Sequence, residues 1–256
     1  MDIIDTHAHL NLEEFGDDCE AAIERAHEAG VTQIICVGTS AATSHDAMHI
    51  ATHHAGVVHS TVGIHPNYAM EAHPADWDEV NMLAHEPEVV GIGETGIDYY
   101  REHTPPEIQK AFFRRHLEIA AKYDKPVIVH ARKARGDVEE VFRDFVGDVT
   151  GVRHCFSGSA EEVEWWVERG FYISFAGNVT RKNQKRLREA AAAVPADRIL
   201  VETDSPYLTP AGVDSRRNEP AFVVHTLRAV SEARGVDQED LAEQTTANAK
   251  RLFRLE

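Results

Sequence analysis

The chain is short of cysteine, of lysine and of long apolar runs, and each shortage removes a class of protein. Cys19, Cys36 and Cys155 are its only thiols. They are odd in number, widely spaced and free of CxxC pairs, which excludes a disulfide framework and a thiolate zinc site. Nowhere do 18 apolar residues follow one another, and Met1 leads into Asp2-Ile3-Ile4-Asp5 rather than a basic leader and an apolar stretch. The expectation is a cytoplasmic protein that makes no use of a membrane. There are seven lysines against 19 arginines, 26 bases against 43 acids, and a formal net charge of −17. Such a surface repels phosphate backbones, so any phosphate substrate must be drawn by local positive charge, from metals and a few Arg and Lys. The acid excess otherwise reads as a solvated surface that sets solubility, or as adaptation to a salt-rich cytoplasm that screens self-repulsion.

What is present is enough apolar residue, 43% of 256, for a substantial core. Short β-branched runs recur at residues 2–6, 31–37, 57–64, 89–93, 127–130, 149–154, 171–175 and 199–203. Segments with helical content lie between them, such as residues 18–29, 105–123, 161–168 and 181–193. Runs such as Val127-Ile128-Val129 and Ile199-Leu200-Val201 are continuously apolar, as parallel strands covered on both faces require. Eight β/α units predict a (β/α)8 TIM barrel, with a doubly wound open sheet as the structural alternative. No linker, repeat or low-complexity tract interrupts residues 1–256, which read as one domain. The tail from about Asn218 to Leu255 reads as two further helices, the second beginning near Asp237, packed outside the barrel.

The chemistry gathers at the ends of the runs. The first ends in Asp5-Thr6-His7-Ala8-His9, and because side chains alternate along a strand, His7 and His9 point the same way. With 16 histidines in the chain an isolated His-x-His says little, and His53-His54 is a pair of the bland kind. Recurrence says more: the fourth run ends in Glu94, the fifth in His130, the sixth in His154 and the eighth in Asp204. In a (β/α)8 barrel these six side chains meet at the C-terminal face, where active sites lie. Four imidazoles and two carboxylates buried together without a metal would leave unpaired charge. Mixed N and O donors suit zinc, manganese and related ions, and a bridging carboxylate, for which Glu94 is the candidate, suits a pair of metals.

The ordered motifs Asp5-Thr-His-Ala-His-Leu10, Gly63-Ile-His-Pro66, Gly93-Glu-Thr-Gly-Ile-Asp-Tyr-Tyr100, Pro126-Val-Ile-Val-His-Ala-Arg132, His154-Cys-Phe-Ser-Gly-Ser159, Glu202-Thr-Asp-Ser-Pro-Tyr-Leu208 and Arg217-Asn-Glu-Pro220 span the chain. In these the chain resembles the TatD family of metal-dependent deoxyribonucleases, within the wider amidohydrolase-like barrel superfamily. By that resemblance His7, His9, Glu94 and Asp204 match a first metal position, and Glu94, His130 and His154 a second. Thr95 and Ile97 depart from residues common in the family, without touching a ligand. The resemblance implies two divalent ions, Mg2+ or Mn2+ ahead of Zn2+, and hydrolysis of phosphodiester bonds. It further implies DNA as the partner, single-stranded or with 3′ ends, trimmed from the 3′ end; the expected state is a monomer.

Asp204 is the candidate proton acceptor from the attacking water, with Glu94 as bridging ligand. His65 has two readings: it orients a phosphate oxygen or the water, or it holds the loop before Pro66. Arg132, two residues past His130, reads as a bidentate phosphate clamp or a surface ion pair. The basic stretch containing Lys182, Lys185 and Arg186 is a candidate for holding a nucleic-acid backbone, although such runs are commonly solvated faces. Glu202 and Ser205 are placed to support the ligands. Tyr99, Tyr100 and Phe156 read as base platforms or as packing over the barrel mouth. Cys155 is expected to point away from His154, into the core. Two rival functions stand beside the nuclease: hydrolysis of a small amide, ester or phosphotriester on the same scaffold, and a noncatalytic nucleic-acid or scaffold protein stabilised by metal. Glu94 rather than a carbamylated lysine on the fourth strand tilts against the first.

Overall fold

The structure, a computed structural model, describes residues 1–256. Each strand is followed by a helix: β1 (Ile3–Ala8) by α1 (Cys19–Glu28), β2 (Val31–Val37) by α2 (Ala41–His53), β3 (Val58–Val62) by α3 (Pro74–Leu83), β4 (Val89–Asp98) by α4 (Pro106–Tyr123). The second half repeats the scheme with β5 (Val127–Arg132) and α5 (Arg135–Asp144), β6 (Gly151–Arg153) and α6 (Ala160–Val167), β7 (Tyr172–Phe175) and α7 (Lys185–Ala193), β8 (Ile199–Val201) and α8 (Val223–Arg234). A ninth helix, α9 (Gln238–Phe253), closes the chain. The eight strands are parallel and ordered β1 to β8, as the eight apolar runs predict, and the doubly wound alternative is set aside. No helix is long and apolar enough to cross a membrane.

The sheet closes on itself with little ladder. One parallel bridge, Ala8 to Ser205, joins β1 to the segment after β8. Below it side chains hold the seam: Asp5 accepts from Thr203 N at 2.9 Å and Thr203 Oγ1 at 2.6 Å, and Thr6 Oγ1 donates to Val201 O at 2.9 Å. Burial pushes the Asp5 carboxyl up to about 8, against the pull of its hydrogen bonds to Thr203 and His7.

Two strands depart from simple alternation where ligands sit. Along β1 the partners on β2 pass from Asp5–Ile34 to Ala8–Cys36, three residues against two. Along β4 the partners on β5 pass from Ile92–Val127 to Thr95–Val129, again three against two. Each extra residue is a bulge that changes which side of the sheet the following residues face. Ile4 belongs to the inner barrel cluster and Ala8 to the layer between strands and helices, so the parity of β1 switches between them. That switch carries His7 and His9 to the inside.

The expected boundaries move at the ligand ends. β6 and β8 stop at Arg153 and Val201, before His154 and Asp204. Beyond them the backbone turns: Cys155 and Asp204 have φ of 43° and 56°. The helix expected from Arg181 starts only at Lys185; ahead of it the Arg188 guanidinium donates to the carbonyls of Val179, Arg181 and Lys182, and Gln184 N to Arg181 O. The tail holds the two expected helices, but only α8 joins the outer ring. Ala249, Leu252 and Phe253 of α9 pack with Ile4, Ile35, Ile128, Val152 and Leu200, the side chains that fill the barrel. Asn248 donates to Ala196 O and Ile199 O, and Thr246 to Asp2 O, so α9 lies across the N-terminal end of the barrel as its floor. Its apolar stripe is buried there rather than on the outer wall.

Candidate metal centre

At the opposite end the six expected ligands come together. His7 Nε2 and His9 Nε2 lie 3.2 Å apart. Glu94 Oε2 is 3.5 and 3.7 Å from them, and Asp204 Oδ1 is 3.8 and 3.6 Å. A cation about 2.1 Å from donors at tetrahedral angles would separate them by about 3.4 Å, so the spacing of His7, His9 and Asp204 suits one ion, with Glu94 Oε2 beside the two rings. The other Glu94 oxygen, Oε1, lies 2.8 Å from His130 Nδ1 and 2.9 Å from His154 Nε2, and these two nitrogens are 3.2 Å apart. One carboxylate thus offers an oxygen to each of two donor groups.

The outer faces of the rings fix what the inner faces present. His9 Nδ1 meets Val37 O at 3.0 Å, His130 Nε2 meets Asp98 Oδ2 at 3.1 Å and His154 Nδ1 meets Glu202 Oε1 at 3.3 Å. Each partner is an acceptor, so each ring commits its N–H outward and turns a lone pair inward. Lone pairs of His130 Nδ1, His154 Nε2 and Glu94 Oε1 then converge within hydrogen-bond distance with no proton between them. That arrangement is repulsive unless it holds a cation or takes up protons, and the donor set fits a divalent metal.

Charge follows the same logic. Burial opposes ionisation of Glu94, but His154, His65 and His130 hold its carboxyl well below the usual range. Burial likewise disfavours charge on His154, yet Glu94 and Glu202 push it up to about 10. Asp204 is desolvated too, and its neighbours His9, His7 and His154 keep it ionised. Without metal the carboxylates favour protons on His9 and His154, while burial holds His7 toward the neutral ring, and metal binding must displace those protons.

His65 makes the loop contact of its second reading. Its Nδ1 accepts from Asn67 N at 3.0 Å, holding the loop, so the ring proton sits on Nε2, which faces Glu94 Oε1 at 3.4 Å. Burial lowers its pKa and favours the neutral ring. Arg132 stacks over the Tyr100 ring at 3.6 Å from its centroid, and both line the space beside the centre; the surface ion pair does not form. Tyr99 instead bonds Asp137, and Phe156 is buried packing. Glu202 braces His154 and the Cys155 amide, whereas Ser205 serves through its carbonyl, which accepts from His9 N at 2.8 Å. Lys182, Lys185 and Arg186 are exposed beyond β7 and do not line the cavity over the centre; Lys185 pairs with Glu189 at 3.6 Å.

One expectation fails. Cys155 lines that 450 Å3 cavity instead of turning into the core. It lies past the end of β6 with positive φ, so strand alternation no longer applies. Burial raises its thiol far above the ordinary range, which keeps it protonated and a poor ligand. One supporting residue went unassigned in the sequence: Asp98, which orients His130 and accepts from the amides of Tyr100 and Arg101 at 2.7 and 3.2 Å. Its signal was the even spacing Glu94, Gly96, Asp98 on one strand, the period that sets side chains on one face. Between them Gly96 has φ 135°, and a Cβ there would overlap the His130 carbonyl, so glycine permits the close approach of β4 and β5.

Residues 4–254 match the family model described as TatD related DNase. A Bacillus subtilis protein described as an uncharacterised metal-dependent hydrolase is 38% identical over 254 residues, covering 99% of both chains. The 3′-5′ ssDNA/RNA exonuclease TatD of Erwinia billingiae is 38% identical over 259 residues, again covering 99% of each. Among solved structures, a TatD homologue from Escherichia coli superposes with a TM-score of 0.92 at 26% identity, covering 99% of this chain and 98% of the other.

Proposed function

Since the chain belongs to the TatD-related DNase family, we propose that its strand-end cluster holds two divalent cations and hydrolyses phosphodiester bonds of single-stranded DNA from the 3′ end. The observation that carries this reading is Glu94, whose two oxygens face different donor groups. His7, His9, Glu94 and Asp204 would hold one ion, and Glu94, His130 and His154 the other, with Mg2+ or Mn2+ favoured. Such ions supply charge neutralisation at phosphate oxygens and acidify water near neutral pH. The chain supplies the rest. Asp204, ionised and with its side chain 15% exposed toward the cavity, accepts the proton of the attacking water. His65 donates from Nε2 to a phosphate oxygen, and Arg132, held against Tyr100, offers a planar guanidinium to the strand. Asp98, Glu202 and the Val37 carbonyl keep the ligand rings from rotating. All proposed ligands come from one chain of one domain, which suits a monomer, and its three free cysteines suit a reducing cytoplasm.

The test is cleavage of end-labelled single-stranded DNA by purified protein. Excess EDTA abolishes cleavage and Mg2+ or Mn2+ restores it, with products shortened stepwise from the 3′ end. Asp204→Asn lowers kcat by orders of magnitude while circular dichroism stays native. Full activity in EDTA, or turnover of lactone or cyclic amide substrates beside intact DNA, would remove the nuclease reading.

A further inference from the structure

Beside the metal centre, between α5 and α6, lies a second cavity of about 620 Å3. It shares Ala131, Arg132, Arg153 and Ser157 with the cavity over the ligands, so the two hollows have a common wall. Its charges are unusual for a chain of net charge −17. Arg135 is neutralised by Glu139 at 2.7 Å and Glu162 at 3.8 Å, but Arg132, Lys133 and Arg153 have no carboxylate partner.

Arg153 is the informative one. It is only 5% exposed, and its guanidinium donates to the carbonyls of His154 and Ala131, which hold it in place without cancelling its charge. A buried cation with no counter-charge costs stability unless an anion arrives to share the site. The first turn of α5 also lines this cavity, and its N-cap, Ala134, has no side chain to occupy the free amides. Lys133 and Arg132 complete a positive rim that continues from the metal centre, with Arg132 and Lys133 both over the Tyr100 ring.

We propose that this cavity binds a second phosphate of the substrate strand, on the 5′ side of the phosphodiester being hydrolysed. The inference rests on the nuclease reading and adds to it a length requirement: a substrate with one phosphate fills the metal centre alone, and a trinucleotide engages both hollows. In an acidic protein this gives a nucleic-acid strand a local foothold that the surface as a whole denies it.

The test compares wild type with Arg153→Met and with Lys133→Gln, the second a change at an exposed position that keeps the experiment open if the first fails to fold. Binding of fluorescein-labelled oligothymidylate in EDTA is followed by anisotropy across a salt series. Losing one phosphate contact lowers the slope of log affinity against log salt by about 0.7. In metal, kcat/KM for a trinucleotide falls about tenfold relative to that for bis(p-nitrophenyl) phosphate. An unaltered salt slope in both variants, or equal losses on both substrates, overturns the proposal, as does a wild type that binds no oligonucleotide. A wild type that binds the strand but hydrolyses neither ester sinks the nuclease reading instead, and the salt slopes then decide the subsite alone.

Discussion

His116 serves the site from a distance. Its Nε2 accepts from Ile64 N at 3.0 Å and its Nδ1 donates to Phe112 O at 2.7 Å, so α4 fixes the backbone one residue before His65. Both bonds require a neutral ring, and burial pushes its pKa from 6.5 down to about 4. Between those values the unfolded chain takes up a proton that the folded chain refuses. Stability from this residue is therefore complete above pH 6.5, falls as pH drops toward 4 and levels off below. At about 1.4 kcal/mol per pH unit the loss is about 3 kcal/mol. Urea melts at pH 7.5 and pH 4 should show an acid loss smaller by that amount in His116→Gln, with the metal-centre groups common to both proteins. Equal acid losses would show that His116 does not hold the loop as a neutral ring.

Two kinds of element carry the barrel's function: bulged strands at the top and a floor helix at the bottom. The bulges in β1 and β4 put His7, His9 and Glu94 within reach of one another, and the β1–β8 seam runs through ligand residues, with Asp204 N donating to His7 O at 2.9 Å. The seam therefore has few ladder bonds where the chemistry needs freedom of side-chain placement. The floor compensates by burying apolar surface. Phe253 of α9 is 3% exposed against the barrel interior, and Phe253→Ala is expected to cost about 3 to 5 kcal/mol. Denaturant melts check this; a cost below about 1 kcal/mol would mean that α9 is a surface appendage, as its place in the sequence first suggests.

For the molecule as a whole, the converging lone pairs make the folded state a metal-binding state. An ion that binds the native site and not the unfolded chain stabilises by about 2.7 kcal/mol at a hundred times its Kd. For a domain of this size that is a rise in Tm of about 5 to 10 °C. Scanning calorimetry with Mn2+ should record the rise in wild type and its loss in Glu94→Ala, since one residue serves both donor groups. An equal rise in that variant would place the ions elsewhere. The net charge of −17 adds its own consequence: Arg101, Arg132, Lys133 and Arg153 are the Arg and Lys side chains that line the two cavities without a carboxylate partner, so on the proposed reading recognition depends on a small part of the surface.

Much of this was legible in the residues. Continuous apolar runs fixed the number and direction of strands, because parallel strands are covered on both faces, and ligand-type residues at the run ends marked the face where they meet. His7, His9, Glu94, His130, His154 and Asp204 needed no coordinates to be chosen. What the tertiary structure alone decided is orientation. Alternation says that His7 and His9 share a side, but only the bulge against β2 says that the side is inward. Likewise Cys155 faces the cavity because the chain turns after Arg153, Lys182 and Lys185 fall away from it because α7 starts late, and α9 becomes the floor. Local sequence sets period and polarity; a register shift or a turn depends on what the neighbouring strand and helix leave unsatisfied, and those partners are distant in the chain.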